Sequence, residues 1–163
     1  MVAITVSVVK TERVPVWISA MNPVMKSLLR LGLPMGPTIL LTVRGRKSGR
    51  PYTTPVGMFE RDGRRWLFAQ FGPVAWVRNL RVSGQAIVGR GRWHEEVAAV
   101  ELSAEATAAV LHDVVAPWLK GPMGGMAGTM AGRPIFNVAL DAPVELFLAE
   151  AARHPIFEIT PKS

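Results

Sequence analysis

The sequence predicts a mainly antiparallel, barrel-like β-sheet with helices at its ends, an α+β fold dominated by strands. Its 163 residues are 49% hydrophobic, enough to bury the core of one domain. β-branched and leucine-rich runs follow one another across short turns, and helical stretches do not alternate regularly with them, which disfavours a doubly wound parallel sheet. We therefore predict a single domain over residues 1–163, with an N-terminal helical extension over about residues 1–35.

The N-terminal part begins with residues 1–9, which are apolar and β-branched and predict a strand or a loose arm. A helix is then predicted to begin at Asn22, with Pro23 in its first turn, and to end at Gly32. Its apolar stripe runs beside cations such as Lys26. Such an amphipathic helix either packs on the core of its own domain or lies on a membrane surface.

Strands are predicted wherever β-branched, leucine and aromatic residues form short runs. The Asp62-Gly63 pair between the second and third of these runs is typical of a tight hairpin. The predicted strands are Thr38–Val43, Tyr52–Phe59, Trp66–Phe71, Gln85–Val88, Trp93–Leu102, Ile135–Leu140 and His154–Thr160.

Three helices are predicted between these strands. Residues Pro73–Leu80 show a helical period that ends at Gly84. Ser103 is a predicted helix cap, and its helix extends to about Val115. Asp141 begins a third, short helix.

The formal charge of +7 is concentrated in one part of the chain. Between Arg44 and His94 there are eleven basic residues and two acidic ones, whereas acidic residues are in slight excess elsewhere. A focused positive region suits a phosphorylated cofactor, an acidic lipid surface or nucleic acid. The alternative is a basic surface that only maintains solubility.

Several classes of chemistry are disfavoured by what the chain lacks. There is no cysteine, no phosphate-binding or dinucleotide-binding glycine motif, no Gly-x-Ser-x-Gly turn and no His-Glu-x-x-His motif. The three histidines have no metal-ligand spacing, and we predict structural roles for His94 and His112 and no metal site. Hydrolytic and metal-dependent catalysis are therefore disfavoured. A cytoplasmic location, peripheral to the membrane at most, is expected.

The strongest local feature is the segment Arg44–Arg50, which carries four cations on a glycine-rich turn between two predicted strands. Glycine allows backbone N–H groups to approach an anion, and Arg and Lys donate charge-assisted hydrogen bonds to phosphate. The chemistry alone leaves two alternatives open, an anion site and an ordinary surface turn.

A second feature is the predicted helix that carries Trp76 and Asn79. These side chains lie one helical turn apart, so an aromatic ring and an amide could frame a planar ligand. The alternative is a core tryptophan beside an exposed asparagine.

Taken in order, these motifs resemble the deazaflavin-dependent nitroreductase family. The resemblance rests on the run Leu41–Val56, the Asp62-Gly63 turn and the segment Ala75–Leu80, and it covers about residues 36 to 100. It implies a split β-barrel of the flavin-reductase, FMN-binding type. It also implies binding of reduced coenzyme F-420 and hydride transfer to a quinone, an enone or activated alkene, or a nitro compound.

The resemblance also implies site residues, but it identifies no catalytic residue or proton donor. By the family's logic one group lies at the phosphate and acidic tail, another lines the deazaflavin ring, and a third closes the pocket. The family usually has a cation where Tyr52 stands, and Arg50 is its predicted substitute. These groups are Arg46, Lys47, Ser48, Gly49 and Arg50 at the tail, Thr54, Pro55 and Val56 at the ring, and Trp76 and Asn79 at the opening.

The predicted acceptor is apolar, because the Gly- and Met-rich residues 121–132 form a predicted loop in which Met123, Met126 and Met130 could adapt to an irregular ligand. Three alternatives stay open. FMN could replace coenzyme F-420, the barrel could be a non-catalytic cofactor- or lipid-binding module, and residues 121–132 could be a disordered loop. Nucleic-acid binding is disfavoured because no stacking aromatics lie among the cations. A homodimer is expected from the resemblance alone.

Overall fold

The computed structural model of the chain describes residues 16–33, 35–125 and 134–163, with side chains from Ala20 onward. Six strands form a closed barrel in the order β1-β2-β3-β6-β5-β4, and every neighbouring pair is antiparallel. The predicted mainly β fold, a split-barrel type with peripheral helices, is therefore confirmed, whereas the predicted single domain stays a prediction. The strands are β1 Thr38–Arg44, β2 Pro51–Arg61, β3 Arg64–Phe68, β4 Gln85–Arg90, β5 Trp93–Glu101 and β6 Ile156–Pro161.

Strand β2 changes partner along its length. Its first half, from Pro51 to Gly57, pairs with β1, and its second half, from Gly57 to Arg61, pairs with β3. The first half therefore has a ladder on one side only. Pro55 lies in this half, where a residue without an N–H donor is tolerated because one edge of the strand makes no ladder. The open edge of β2 becomes one wall of the cavity described below.

The barrel interior and its outer helices bury two separate apolar clusters. The first fills the barrel and includes Leu41, Leu67 and Val88. The second lies outside the sheet, where residues such as Phe68 and Phe147 pack under the helices. Full burial of each such side chain contributes about 1.5–3 kcal/mol, so both clusters hold the wall strands firmly in place.

The helices occupy the ends of the barrel and its second core. Along the chain they are α1 Val16–Arg30, α2 Ala75–Ser83, α3 Ala104–Val110, a π-helical turn Leu111–Val115, α4 Ala116–Lys120, a 3-10 turn Val144–Phe147 and α5 Leu148–Ala151. In the described ranges, no helix combines the length and the apolar character needed to cross a bilayer.

Two predicted helix limits are wrong. Helix α1 begins six residues before Asn22, so Pro23 lies inside the helix at the cost of one backbone hydrogen bond. The helix capped by Ser103 does not end near Val115 but continues into α4. The π-helical turn lets the helix continue because it places Pro117 in the first turn of α4, where a missing N–H is harmless.

The predicted strand Ile135–Leu140 is also wrong, because residues 134–140 are irregular. Their backbone bonds to side chains instead: the Ile135 carbonyl lies 3.0 Å from His154 Nε2, and the Asn137 N–H donates to Glu150 at 3.0 Å. Within the predicted loop 121–132, residues 122–125 are helical. The predicted arm of residues 1–9 and the rest of that loop lie outside the described residues.

Candidate functional site

A cavity of about 730 Å³ lies between the open half of β2, helix α1 and the segment that leads from β3 into α2. The basic segment between β1 and β2 forms one edge of this cavity. Its lining residues are Met21, Asn22, Met25, Thr38, Val43, Gly45, Arg46, Lys47, Ser48, Tyr52, Thr53, Thr54, Pro55, Val56, Gly57, Phe68, Gln70, Phe71, Val74, Ala75, Trp76 and Asn79.

The β2 wall is built by residues 53–57, which pair with β1 on one side and face the cavity from the other. The hydroxyls of Thr42 and Thr53 lie 2.8 Å apart and join the two strands at this point. Val56 is buried, while Thr54 and Pro55 are half-buried. Pro55, Val56 and Gly57 have no polar side-chain atoms, so the hydroxyls of Thr53 and Thr54 are the polar side-chain groups of this wall.

Backbone hydrogen bonds within the basic segment between β1 and β2 close this segment into a loop. The Gly45 N–H donates to the Arg50 carbonyl at 2.7 Å, and the Gly49 N–H donates back to the Gly45 carbonyl at 2.9 Å. Gly49 has a φ of 71°, a left-handed conformation that glycine adopts without strain. Ser48 Oγ accepts from the Arg50 N–H at 3.2 Å. The segment is thus a defined loop whose cations project from a fixed base.

Asn79 connects this loop to helix α2. Its side chain is only 6% exposed, and its Oδ1 accepts from the Arg46 backbone N–H at 3.2 Å and from Arg46 Nη1 at 2.8 Å. The alternative of an exposed surface asparagine is therefore wrong. A buried amide that receives two bonds from one residue fixes both the backbone and the guanidinium of Arg46 at the cavity.

Tyr52 packs over Gly45 at the mouth of the cavity. A methyl group placed on Gly45 would lie 2.6 Å from a ring carbon of Tyr52 and 2.9 Å from Ser48 Oγ. The Tyr52 hydroxyl is 3.2 Å from Ser48 Oγ, so either oxygen can donate. Glycine at position 45 therefore lets the tyrosine ring pack closely against the loop.

The electrostatics of the cavity are one-sided. Of the lining residues that the structure describes, none is an aspartate or glutamate, whereas Arg46 and Lys47 are exposed at its edge. Within the described ranges, none of the four cations of the loop pairs with a carboxylate. Positive charge that no internal carboxylate neutralises favours an anionic ligand here.

The opposite wall follows β3 and carries aromatic side chains. The Ala69 N–H donates to the Pro155 carbonyl at 3.1 Å, and His154 Nδ1 lies 3.2 Å from the Ala69 carbonyl. These contacts anchor the chain just before Phe71, which lines the cavity. Trp76 also lines it, with its ring centroid 6.1 Å from that of Phe157 in the barrel core.

The structure brings together most of the residues that the sequence predicts for the site. Gly49 and Arg50 belong to the same loop but are not among the lining residues. The residues that line the cavity as predicted are Arg46, Lys47, Ser48, Thr54, Pro55, Val56, Trp76 and Asn79.

The methionines that line the described part of this cavity are not the ones that the sequence predicts for the substrate. Met123 is exposed and outside the lining, and Met126 and Met130 lie outside the described residues, so their predicted role stays a prediction. Met21 and Met25 of helix α1 line the cavity instead. Sequence reasoning missed them because it assigned the helix either to the core or to a membrane. Their spacing of four residues was the available signal.

Among solved structures, the chain is similar to three proteins. The protein Atu2129 of unknown function from Agrobacterium tumefaciens str. C58 has 15% identity and a TM-score of 0.48 over 78% of this chain and 49% of that one, so this chain spans about half its length. The conserved hypothetical protein Rv2991 from Mycobacterium tuberculosis has 16% identity and a TM-score of 0.48 over 78% and 74%. An F420-H2 dependent reductase (FDR-A) has 21% identity and a TM-score of 0.42 over 76% and 94%.

The comparison with protein-family models supports a broader conclusion than the similarity to solved structures. No curated protein sequence matches the chain. A family model described as F420H(2)-dependent quinone reductase matches residues 11–121, which include the basic loop, the open half of β2 and helix α2. Coenzyme F-420 and oxidoreductase chemistry, both predicted from the sequence, are the defining properties in that description. The chain therefore belongs to the family of F420H(2)-dependent quinone reductases.

Proposed function

We propose that this chain transfers a hydride from reduced coenzyme F-420 to a quinone, with the ring of the cofactor in the cavity and its anionic tail on the basic loop. One observation carries the proposal: the cavity combines apolar walls with a cationic edge, and none of the described residues that line it is acidic. Enones and nitro compounds, the other predicted acceptors, stay predictions.

The residues present fit the cofactor class. A cavity of about 730 Å³ is within the usual size of small-molecule sites, which are mostly apolar with a few placed polar groups. When bound, reduced coenzyme F-420 supplies the hydride itself. The protein therefore has to position the cofactor and the acceptor and polarise the reacting groups, rather than provide a strong acid or base. This agrees with the described part of the lining, which includes no carboxylate and no histidine.

The basic loop would hold the phosphate and carboxylates of the tail. Arg46 is pre-oriented, because Asn79 accepts from both its backbone and its guanidinium. Lys47 and Ser48 add an ammonium and a hydroxyl next to it, and all three line the cavity. Gly49 and Arg50 would support the loop's shape and charge. Charge-assisted hydrogen bonds to phosphate are among the strongest that a surface loop can offer.

The ring would lie against the open half of β2. Thr54, Pro55 and Val56 form a wall there, and Trp76 also lines the cavity, with Asn79 one helical turn away. Contacts with these side chains would restrict a planar ring to few orientations. No catalytic residue is assigned, since no lining group is placed to act as an acid at a known atom.

The acceptor would approach from helix α1. Met21 and Met25 line this side of the cavity together with Phe71. Thioether and aromatic side chains adapt to apolar ring compounds, which fits a quinone. Met123, Met126 and Met130 remain as predicted contributors from the later segment.

The test is a titration of the purified protein with oxidised and reduced coenzyme F-420, followed by addition of menadione. We expect quenching of the cofactor's fluorescence on binding and oxidation of the reduced cofactor when menadione is added. Binding without oxidation favours the alternative of a non-catalytic cofactor-binding module. No binding of coenzyme F-420 together with binding of FMN would overturn the proposal.

A further inference from the structure

The part of the cavity wall that carries Gln70 and Phe71 is a tight turn, called the wall turn below. The Gly72 N–H donates to the Ala69 carbonyl at 3.4 Å, which closes a β-turn with Gln70 and Phe71 at its centre. Both central residues line the cavity. Gly72 has a φ of 80°, and a methyl group placed on it would lie 3.2 Å from the Arg153 carbonyl. The wall turn is therefore packed against the chain that leads into β6.

The Ala69 carbonyl also contacts a buried histidine. His154 is 2% exposed, and its Nδ1 lies 3.2 Å from the Ala69 carbonyl oxygen while its Nε2 lies 3.0 Å from the Ile135 carbonyl oxygen. A carbonyl oxygen only accepts hydrogen bonds, and a neutral imidazole has a single N–H to donate. Both contacts are hydrogen bonds only when the ring carries two protons, so the two carbonyls favour the imidazolium form.

A carboxylate next to the ring balances this charge. Glu150 is 1% exposed, and its Oε2 lies 3.5 Å from His154 Nε2 and accepts from Arg153 at 3.0 Å. The rings of Phe68 and Phe136 pack on the imidazole from two other parts of the chain and contribute no charge. In the part of the chain that the structure describes, Glu150 and, through it, Arg153 are therefore the charged groups paired with this ring. Such a partner is what makes a buried charge tolerable.

We propose that His154 is a positioning residue, an imidazolium that holds the Ala69 carbonyl and thereby sets the place of the wall turn in the cavity. The inference rests in part on the proposed function, in which Phe71 lies on the side from which the acceptor approaches. Without the second proton, one of the two carbonyls would lose its donor and the wall turn would be free to shift. The basic loop is held separately, by Asn79 on helix α2. His154 should therefore affect the acceptor and not the anionic tail of the cofactor.

The charge of the ring is tested by nitrogen NMR of the protein labelled at its histidines, at neutral pH and without cofactor. We expect both ring nitrogens of His154 to carry a proton, because each bonds to a carbonyl. The double variant His94→Gln/His112→Gln leaves His154 as the one histidine of the chain, so its signals are assigned without changing the ring itself. A neutral ring with one protonated nitrogen would overturn the proposal.

The hold on the wall turn is tested by hydrogen exchange with mass spectrometry, again without cofactor. His154→Gln keeps a polar side chain but removes the charge, and exchange in residues 69–74 should become about tenfold faster, as one lost hydrogen bond of a charged group would produce. Exchange in the basic loop should stay the same. The matched control is His112→Gln, whose ring contacts Asp113 and Phe147 away from the wall turn, and it should leave residues 69–74 unchanged.

The consequence for the acceptor is measured with reduced coenzyme F-420 and menadione. In His154→Gln the KM for menadione should rise about tenfold while the Kd for coenzyme F-420 changes less than twofold, because Asn79 still holds Arg46. Gly72→Ala displaces the wall turn from its other side, where the added methyl group meets the Arg153 carbonyl, and should show the same split without any change at the histidine.

Three further results would overturn the proposal. They are unchanged exchange of residues 69–74 in His154→Gln, an equal acceleration in His112→Gln, or a loss of cofactor affinity in His154→Gln as large as its rise in KM, which would make the histidine a general stabilising residue. If the unmodified protein does not oxidise the reduced cofactor with menadione, the proposed function fails. The NMR and exchange measurements still decide the role of His154 in that case, because neither depends on turnover.

Discussion

Arginines serve opposite purposes on two regions of this molecule. On the sheet that contains β3, β5 and β6 and at the end of α2, Arg64, Arg65 and Arg81 each form a bidentate ion pair with a glutamate at 2.7–3.0 Å. The partners are Glu158, Glu95 and Glu101. In the basic loop, the cations have no carboxylate partner among the described residues and lie at the edge of a cavity.

The difference shows that the arginines of the first region are used in ion pairs within the chain, whereas the cations of the basic loop stay available for a ligand. In the first region, called the paired region because Arg64, Arg65 and Arg81 form ion pairs there, the hydrogen bond from Arg65 lowers the pKa of Glu95. The hydrogen bond from Arg64 lowers the pKa of Glu158. Those positive charges are already neutralised. In the basic loop, Arg44 Nη1 donates to the Gly49 carbonyl at 3.1 Å, and Arg46 is held by Asn79, a neutral amide that positions the guanidinium without cancelling its charge.

The largest expected effect concerns the loop side of this comparison. Arg46→Ala/Lys47→Ala should raise the Kd for coenzyme F-420 by about 100-fold, because each removed cation takes a charge-assisted hydrogen bond with it. The Kd is measured by fluorescence titration at several salt concentrations, and its salt dependence should become shallower. The control Arg64→Ala/Arg81→Ala removes two cations from the paired region and should change the Kd less than twofold. Equal losses in both variants would break the comparison.

The next largest effect concerns the buried carboxylate of Glu150, which is hydrogen-bonded by other groups of the chain. Burial would raise the pKa of Glu150, but bonds from His154 and the Asn137 N–H and the charge of Arg153 outweigh it and lower that pKa. Because the folded-state pKa is lowered, the stabilisation is present above the ordinary glutamate pKa of about 4.3 and is lost as pH falls through the folded value.

Glu150→Gln should therefore lower the free energy of unfolding by about 2 kcal/mol at pH 7. The difference from the unmodified protein should shrink as the pH falls below the ordinary glutamate pKa and through the lowered folded-state pKa, where the wild-type carboxylate takes up a proton. Urea denaturation over a series of pH values measures this. A difference that stays constant with pH would show that the carboxylate charge does not contribute.

A third prediction sharpens the role of Asn79 at the loop. Asn79→Ala removes the acceptor of both Arg46 bonds and should raise the Kd for coenzyme F-420 about tenfold. If Asn79 acts through Arg46, adding Asn79→Ala to Arg46→Ala should raise the Kd no further, and this non-additivity separates positioning from a general loss of structure. Fully additive effects in the same titration would contradict the positioning role.

The smallest expected effect lies on the paired region. A double-mutant cycle on Arg65→Ala and Glu95→Ala should give a coupling free energy of about 1 kcal/mol or less in thermal unfolding, because both side chains keep contact with water. The Kd for coenzyme F-420 should not change in any of these variants. A weakened Kd would mean that the two regions are coupled through the barrel.

Local signals in the sequence were sufficient to predict many of the turns and helix ends around the barrel. The Asp62-Gly63 turn is a tight hairpin with φ values of 53° and 75°, and Gly84 ends α2 in the left-handed conformation at 65°. Ser103 caps α3 through the Ala106 N–H at 3.2 Å. These features depend on residues within a few positions of each other, so a single sequence contains their cause.

What could not be predicted depends on partners far away in the chain. The Asn79–Arg46 contact joins residues 33 positions apart, and nothing local to Asn79 indicates that it is buried. Residues Ile135–Leu140 have the apolar pattern of a strand, but His154 and Glu150 supply the hydrogen-bond partners that a neighbouring strand would otherwise give. In both places tertiary contacts override the local preference.

The close packing of Tyr52 on Gly45 gives position 45 an influence that its lack of a side chain conceals. Alanine there would overlap with the Tyr52 ring and with Ser48 Oγ, so the half-exposed ring would have to move. The entrance would change shape while every charge of the loop stayed in the chain. One methyl group at position 45 would therefore reshape the aperture, and the same coupling predicts that relatives with a larger residue at 45 carry a smaller one at 52.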